Sequence, residues 1–130
     1  SPCITLRLSV YRLHFLKQKV MGNRTSTSTM SSIEHTAFVN DAIASKDVVV
    51  FSKSYCPYCS TTKALFKKEG IDYKVIELDQ IEEGSAIQNA LQTISGQRTV
   101  PNVYIKGTHL GGNDDTQAAH RSGKIKEMLA

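Results

Sequence analysis

Val48-Val49-Val50-Phe51-Ser52-Lys53-Ser54-Tyr55-Cys56-Pro57-Tyr58-Cys59 decides the fold of this chain. Its first four residues are bulky and apolar, three of them valine, and read as a short buried strand. Pro57 suits the first turn of a helix, where its missing N–H would have no partner in any case. The helix therefore begins at Pro57 and leaves Cys56 at the N-cap, with backbone N–H groups pointing towards its sulfur. That placement favours the thiolate, which is the reactive form. Cys59 follows one turn later on the same helix face, within reach of Cys56.

Upstream, Ser31-Ser32-Ile33-Glu34 offers a capping box with Ser31 as N-cap. Ile33, Ala37, Val39, Ala42 and Ile43 carry a helix from there to about Ser45, and Lys46-Asp47 turns the chain into the strand. Downstream, the helix opened at Cys56 runs to about Glu69 with Ala64, Leu65 and Phe66 facing inward, and Gly70 ends it as a left-handed cap. Tyr73 to Asp79 alternates as a second strand. A third helix spans roughly Ser85 to Ile94, with Ile87, Ala90, Leu91 and Ile94 at helical spacing, and stops at Gly96. Asn102–Ile105 and Thr108–Leu110 form two short strands around a Lys106-Gly107 turn. Gly111-Gly112 precedes a last helix, roughly Thr116 to Leu129, loosened near Gly123.

A β-α-β crossover makes the first two strands parallel, and the hairpin makes the last two antiparallel. The expected fold class is α/β, a four-stranded mixed sheet flanked by helices. A Cys-x-x-Cys beside a βαβ unit reads as a redox motif of the thioredoxin fold.

With 130 residues the chain builds one domain, expected over 31–130, behind a distinct segment 1–30. An apolar content of 40% with 22% charged residues is ordinary for a globular domain, and no window approaches the roughly eighteen apolar residues of a membrane-spanning helix. The net charge of +4 is unevenly shared. Residues 1–33 hold Arg7, Arg12, Lys17, Lys19 and Arg24 with no acid, whereas the rest holds eleven basic and twelve acidic residues. The body is near neutral, so its charge offers no surface for nucleic acid. Three cysteines argue against a disulfide-stapled secreted domain, and Cys3 lies in the leading segment, so the functional count is two.

Residues 1–30 are basic, then rich in Ser and Thr. One helical stripe would hold Leu6, Val10, Leu13, Leu16 and Val20, while Ile4, Leu8, Tyr11 and Phe15 fall elsewhere on the wheel. The amphipathicity is incomplete, so the segment is expected to be a plain extension of a cytoplasmic protein, with a mitochondrial transit peptide as the alternative. Translation from Met21 would instead present Met-Gly-Asn-Arg-Thr-Ser, an N-myristoylation pattern with Gly22 as acceptor.

The body of the chain, about residues 32–129, resembles a dithiol glutaredoxin. The resemblance is carried by Phe-Ser-Lys-Ser-Tyr-Cys-Pro-Tyr-Cys (51–59), Gly-Gln-Arg-Thr-Val-Pro (96–101) and Gly-Gly-Asn-Asp-Asp (111–115), in the family's order and at its spacing. Other reductases of the thioredoxin fold place Trp before the first Cys, and this chain has no Trp. The resemblance implies a glutathione-dependent thiol–disulfide oxidoreductase with Cys56 as nucleophile and Cys59 as resolving thiol. Lys53 is expected to favour the Cys56 thiolate and to hold the glycyl carboxylate of glutathione. Gln88 is expected to help it, on an alignment counted back from Gly96. By the same resemblance Thr99-Val100-Pro101 carries a cis proline against the active-site sulfur, and the Val100 backbone pairs with the cysteinyl part of glutathione like an added strand.

Gly111-Gly112 lets the backbone approach a ligand, and N–H groups at the following helix start suit the γ-glutamyl carboxylate beside Gly112 and Asp114. Asp115 would pair with the γ-glutamyl ammonium. The plainer reading makes Asp114 the helix cap and Asp115 a first-turn acid that stabilises the dipole. Tyr58 either flanks the substrate or packs locally. The implied partners are glutathione, glutathionylated or disulfide-containing proteins, and glutathione reductase upstream, with the chain a monomer. Zinc on the Cys pair would need two further ligands, which the spacing of His14, His35, His109 and His120 does not supply, so no metal is expected. The rival from another class is a module sharing an iron–sulfur cluster between two chains through Cys56 and glutathione. Glutaredoxins that do so mainly carry Gly or Ser after the first Cys, and Pro57 departs from that pattern.

Overall fold

In the computed structural model, which describes residues 31–130, the Val48–Ser52 strand is the second in a four-stranded sheet. β1 (Val48–Ser52) is buried along its whole length. It pairs in parallel with β2 (Lys74–Glu77) and antiparallel with β3 (Asn102–Ile105), which pairs with β4 (Thr108–Gly111), so the order is β2-β1-β3-β4. The mixed sheet is the one expected. The readings placed on residues 1–30 (targeting, Cys3, acylation at Gly22) lie outside the described residues.

Because side chains alternate along a strand, β1 feeds two cores. Val49 and Phe51 face α1 (Ser32–Ala44) and α3 (Gly84–Ser95), where Val39, Ile43, Ile87, Leu91 and Tyr104 join them. Val48 and Val50 face the other side, with Phe66 from α2 (Pro57–Lys68), Ala119 from α4 (Asn113–Ser122) and Ile125 from α5 (Lys124–Leu129). Helices thus cover both faces, as burial of a sheet on both sides demands. The Phe51 and Tyr104 rings meet edge to face, with centroids 5.9 Å apart.

The capping box of α1 forms as read: Glu34 N–H donates to Ser31 Oγ at 3.2 Å and Ser31 N–H to Glu34 Oε1 at 2.8 Å. His35, which the pattern gave no role, is buried one residue later and bonds Glu83 Oε1 at 2.8 Å, fastening α1 to the start of α3.

Four readings are corrected. Ala64 is exposed and Leu65 half-buried; the inward face of α2 is Cys59, Thr62 and Phe66. Three consecutive helical residues sweep most of a turn, so Ala64, Leu65 and Phe66 cannot share a face. Ile33 and Ile94, counted as apolar-face residues, are 80% and 36% exposed at the outer ends of their helices. The second strand ends at Glu77, because Leu78–Gln80 turns as a 3₁₀ helix that buries Leu78 and aims Asp79 back at Ser54. The last helix begins at Asn113 and breaks in two at Gly123, whose φ of 82° is left-handed.

Candidate active site

Cys56 is the N-cap of α2, extended at φ −85° and ψ 119°, and its Sγ accepts the Cys59 N–H at 3.3 Å. One of the helix's unpaired donors therefore points at the sulfur, as the Pro57 argument requires. The loop before it is fixed at both ends. Cys56 N–H donates to the Lys53 carbonyl at 3.0 Å. The Ser54 N–H donates to Asp79 Oδ1 at 2.9 Å, and the Ser54 hydroxyl and the Gln80 amide both donate to Asp79 Oδ2. Those donors stabilise the carboxylate and hold the Asp79 carboxyl at about 2, well below its ordinary 3.8.

The two thiols sit in unlike surroundings. Cys56 is half-buried at the surface, whereas Cys59 is fully buried. Burial, reinforced by the hydrogen bond with the Cys56 side chain, pushes the Cys59 thiol up to about 11 from 9.0. Of the pair, Cys56 is the one substrate can reach, and Cys59 is the one kept protonated.

The Val100–Pro101 peptide is cis, and the Val100 carbonyl lies 3.8 Å from Cys56 Sγ. Two glutamines build this turn from within. Gln97 Nε2 donates to the Thr99 carbonyl at 3.1 Å and to the Pro101 carbonyl at 3.0 Å, and Gln88 Nε2 donates to the Arg98 carbonyl at 2.7 Å. Asn102 Nδ2 closes the loop on the Gln97 carbonyl at 3.1 Å.

A third element completes the site. Gly112 caps α4, and Asp115 reaches back so that the Gly112 N–H donates to its Oδ2 at 3.3 Å. Asp114, the cap in the plainer reading, is instead exposed in the first turn. Gly111 has a φ of 131°, and a Cβ there would stand 2.2 Å from Asp115 Oδ2, so both the conformation and the approach of the carboxylate require glycine.

These elements enclose a cavity of about 470 Å³. Tyr58, Thr99, Val100, Pro101, Gly112, Asp114 and Asp115 line it, together with Gln97 and Asn113, which the sequence reading did not single out. Four expected site residues are outside the lining: Lys53 is half-buried in the loop before Cys56, Gln88 is buried beneath the cis-proline turn, Cys59 is buried, and Cys56 borders the cavity with its Sγ 3.8 Å from the Val100 carbonyl. Tyr58 is 65% exposed at the cavity wall. Among the described residues no three His, Cys, Asp or Glu side chains gather as metal ligands.

Residues 48–110 match the family model for glutaredoxin. The chain is 50% identical over 95 residues to glutaredoxin-C8 of Oryza sativa subsp. japonica, covering 72% of this chain and 70% of that one. It is 44% identical over 112 residues to the mitochondrial glutaredoxin-2 of Bos taurus, covering 84% and 70%. The chain belongs to the glutaredoxin family. Its fold superposes on the crystal structure of a buckwheat glutaredoxin–glutathione complex with a TM-score of 0.74 at 48% identity, over 75% of this chain and 89% of that one. As a glutaredoxin it is a glutathione-dependent thiol–disulfide oxidoreductase. Gln97 and Asn113 stand inside two of the motifs that carried the resemblance; Gln97 bonds carbonyls two and four residues on, whereas Asn113 accepts from the Thr62 hydroxyl 51 positions away.

Proposed function

We propose that Cys56 carries the exchange and that the cavity beside it seats glutathione. The Cys56 thiolate attacks the glutathionyl sulfur of a protein–glutathione mixed disulfide. The new S–S bond joins Cys56 to glutathione, and the protein sulfur leaves and takes up a proton. A second glutathione thiolate then attacks the glutathionyl sulfur, which forms oxidised glutathione and returns Cys56 as a thiolate. With a protein disulfide, Cys56 first forms a mixed disulfide with one protein sulfur. Cys59 then gives up its proton and attacks Cys56 Sγ, releasing the reduced protein and leaving a Cys56–Cys59 bridge for two glutathiones to reduce. The observation that carries this division of labour is the asymmetry of the pair: an N-cap sulfur at the surface, and a buried thiol near 11.

In this reading the cysteinyl part of glutathione runs along the Val100 backbone as an added strand. The γ-glutamyl carboxylate meets the first N–H groups of α4 around Gly112 and Asp114, and Asp115 faces the γ-glutamyl ammonium. Thr99, Pro101 and Tyr58 wall the cleft. Lys53 holds the glycyl carboxylate from the loop, and Gln88 acts on that end through the turn it supports. Residues 31–130 form the redox domain. Residues 1–30 act as an extension of a cytoplasmic protein or, as the alternative, as a mitochondrial address, which the likeness to a mitochondrial relative supports. Glutathione reductase supplies the electrons upstream, and the chain works as a monomer.

Cys56→Ser is expected to abolish both reductions, while Cys59→Ser retains deglutathionylation and loses most protein-disulfide reduction. Initial rates on a glutathionylated peptide and on a disulfide-bonded protein measure the two. Full deglutathionylation by Cys56→Ser would overturn the assignment.

A further inference from the structure

Beside the cavity, a side-chain hydrogen bond joins the catalytic helix to the helix that borders the far side of the site. Thr62 lies one turn beyond Cys59 on α2 and is fully buried. A threonine inside a helix commonly donates its hydroxyl to the carbonyl four residues earlier. Thr61 does so here to the Pro57 carbonyl at 3.2 Å, and Thr93 to the Asn89 carbonyl at 3.3 Å. Thr62 instead donates across to Asn113 Oδ1 at 2.9 Å. Asn113 is the first residue of α4 and lines the cavity between Gly112 and Asp114. Its Oδ1 also accepts from Gln117 Nε2, one turn along α4, at 3.2 Å.

We propose that Thr62 and Asn113 are positioning residues that set the register between the Cys56 sulfur and the anion-seating end of the cavity. The inference rests on the reading of that cavity as the glutathione site. One end of glutathione must meet α4 while its sulfur meets the α2 N-cap, so the offset between two helices decides whether both contacts form together. The Thr62 hydroxyl is removed from water, so the bond to Asn113 is its available partner, and losing it leaves a buried donor unsatisfied. Gln117 holds the carboxamide oxygen towards α2 and thereby orients the acceptor. The same two helices meet again at their far ends, where His120 Nε2 lies 3.3 Å from Glu69 Oε2. That contact ties the helices without touching the cavity, and provides a control.

KM for a glutathionylated peptide and kcat are measured at saturating glutathione for Thr62→Val, Thr62→Ser, Asn113→Ala, the Thr62→Val/Asn113→Ala double variant, His120→Gln and Asp115→Asn. Thr62→Val is expected to raise KM for the glutathionylated peptide about fivefold with kcat held within about twofold, on the scale of one hydrogen bond's net contribution. Thr62→Ser restores the wild-type KM. The double variant matches Asn113→Ala alone, because the two residues act through one bond. His120→Gln leaves KM unchanged. Asn113→Ala carries the same test should Thr62→Val fail to fold. An unchanged KM in both Thr62→Val and Asn113→Ala, serine behaving like valine, or effects that multiply in the double variant would each overturn the inference. Asp115→Asn separates the two levels. If it raises KM while Thr62→Val does not, the register inference alone falls; if neither moves KM, the cavity is not the glutathione site.

Discussion

At the scale of single residues, the site works through unlike treatment of like groups. Two thiols share one helix face, but only Cys59 is sealed from water. Burial is the largest cause of its raised value, ahead of the hydrogen bond to Cys56. Cys59 in a Cys56→Ser variant is therefore expected to titrate above its ordinary 9.0, as followed by mapped alkylation against pH. A midpoint at or below 9.0 would show that the neighbouring sulfur, not burial, sets it. Asp79 gives the opposite sign. Its folded carboxyl lies near 2 and its ordinary value is 3.8, so ionised Asp79 stabilises the fold at every pH above that ordinary value, and the contribution disappears as pH falls towards 2. The gap in urea midpoint between wild type and Asp79→Asn should be constant above about pH 5 and close on acidification. A gap that widened below pH 4 would contradict the clasp on Ser54.

The cysteines and the proline between them were legible because their roles are local: an N-cap and its first turn lie within four residues. Thr62 and Asn113 were not. The bond from Thr62 to Asn113 spans 51 positions, and nothing in the sequence near either residue points to the other.

At the scale of elements, the ends of strands and helices diverged from the pattern for reasons of contact. The alternation of Tyr73 to Asp79 continues past the point where pairing stops, because Leu78 turns into the core and Asp79 is needed at Ser54. The final helix starts earlier than its apolar spacing suggests, since Asp115 caps the Gly112 N–H and brings Asn113 and Asp114 into the first turn. Gly84 shows how tightly the 3₁₀ turn and α3 meet: a Cβ there would stand 1.9 Å from the Leu78 carbonyl oxygen, which is backbone and cannot rotate away. A glycine-to-alanine change in a helix ordinarily stabilises it by up to about 1 kcal/mol. Gly84→Ala should instead destabilise the protein by about 1–3 kcal/mol, read from the denaturation midpoint. A stabilised variant would show that the turn gives way freely.

At the scale of the molecule, the sheet order and the two cores follow from the alternation of Val48, Val49, Val50 and Phe51 between faces. That part of the fold was written in consecutive residues and in the helix that must cross between parallel strands. The sheet brings Tyr58, residues 97–101 and residues 112–115, far apart in the chain, around one cavity, with the Cys56 sulfur 3.8 Å from the Val100 carbonyl at its edge. The central claim is that this assembly passes glutathione through Cys56. It is tested most directly by mixing the Cys59→Ser protein with a glutathionylated peptide and locating the adduct by peptide mass mapping. One glutathione is expected, on Cys56, formed with release of the free peptide thiol and removed by added glutathione. An unmodified Cys56 beside a reduced peptide would contradict it.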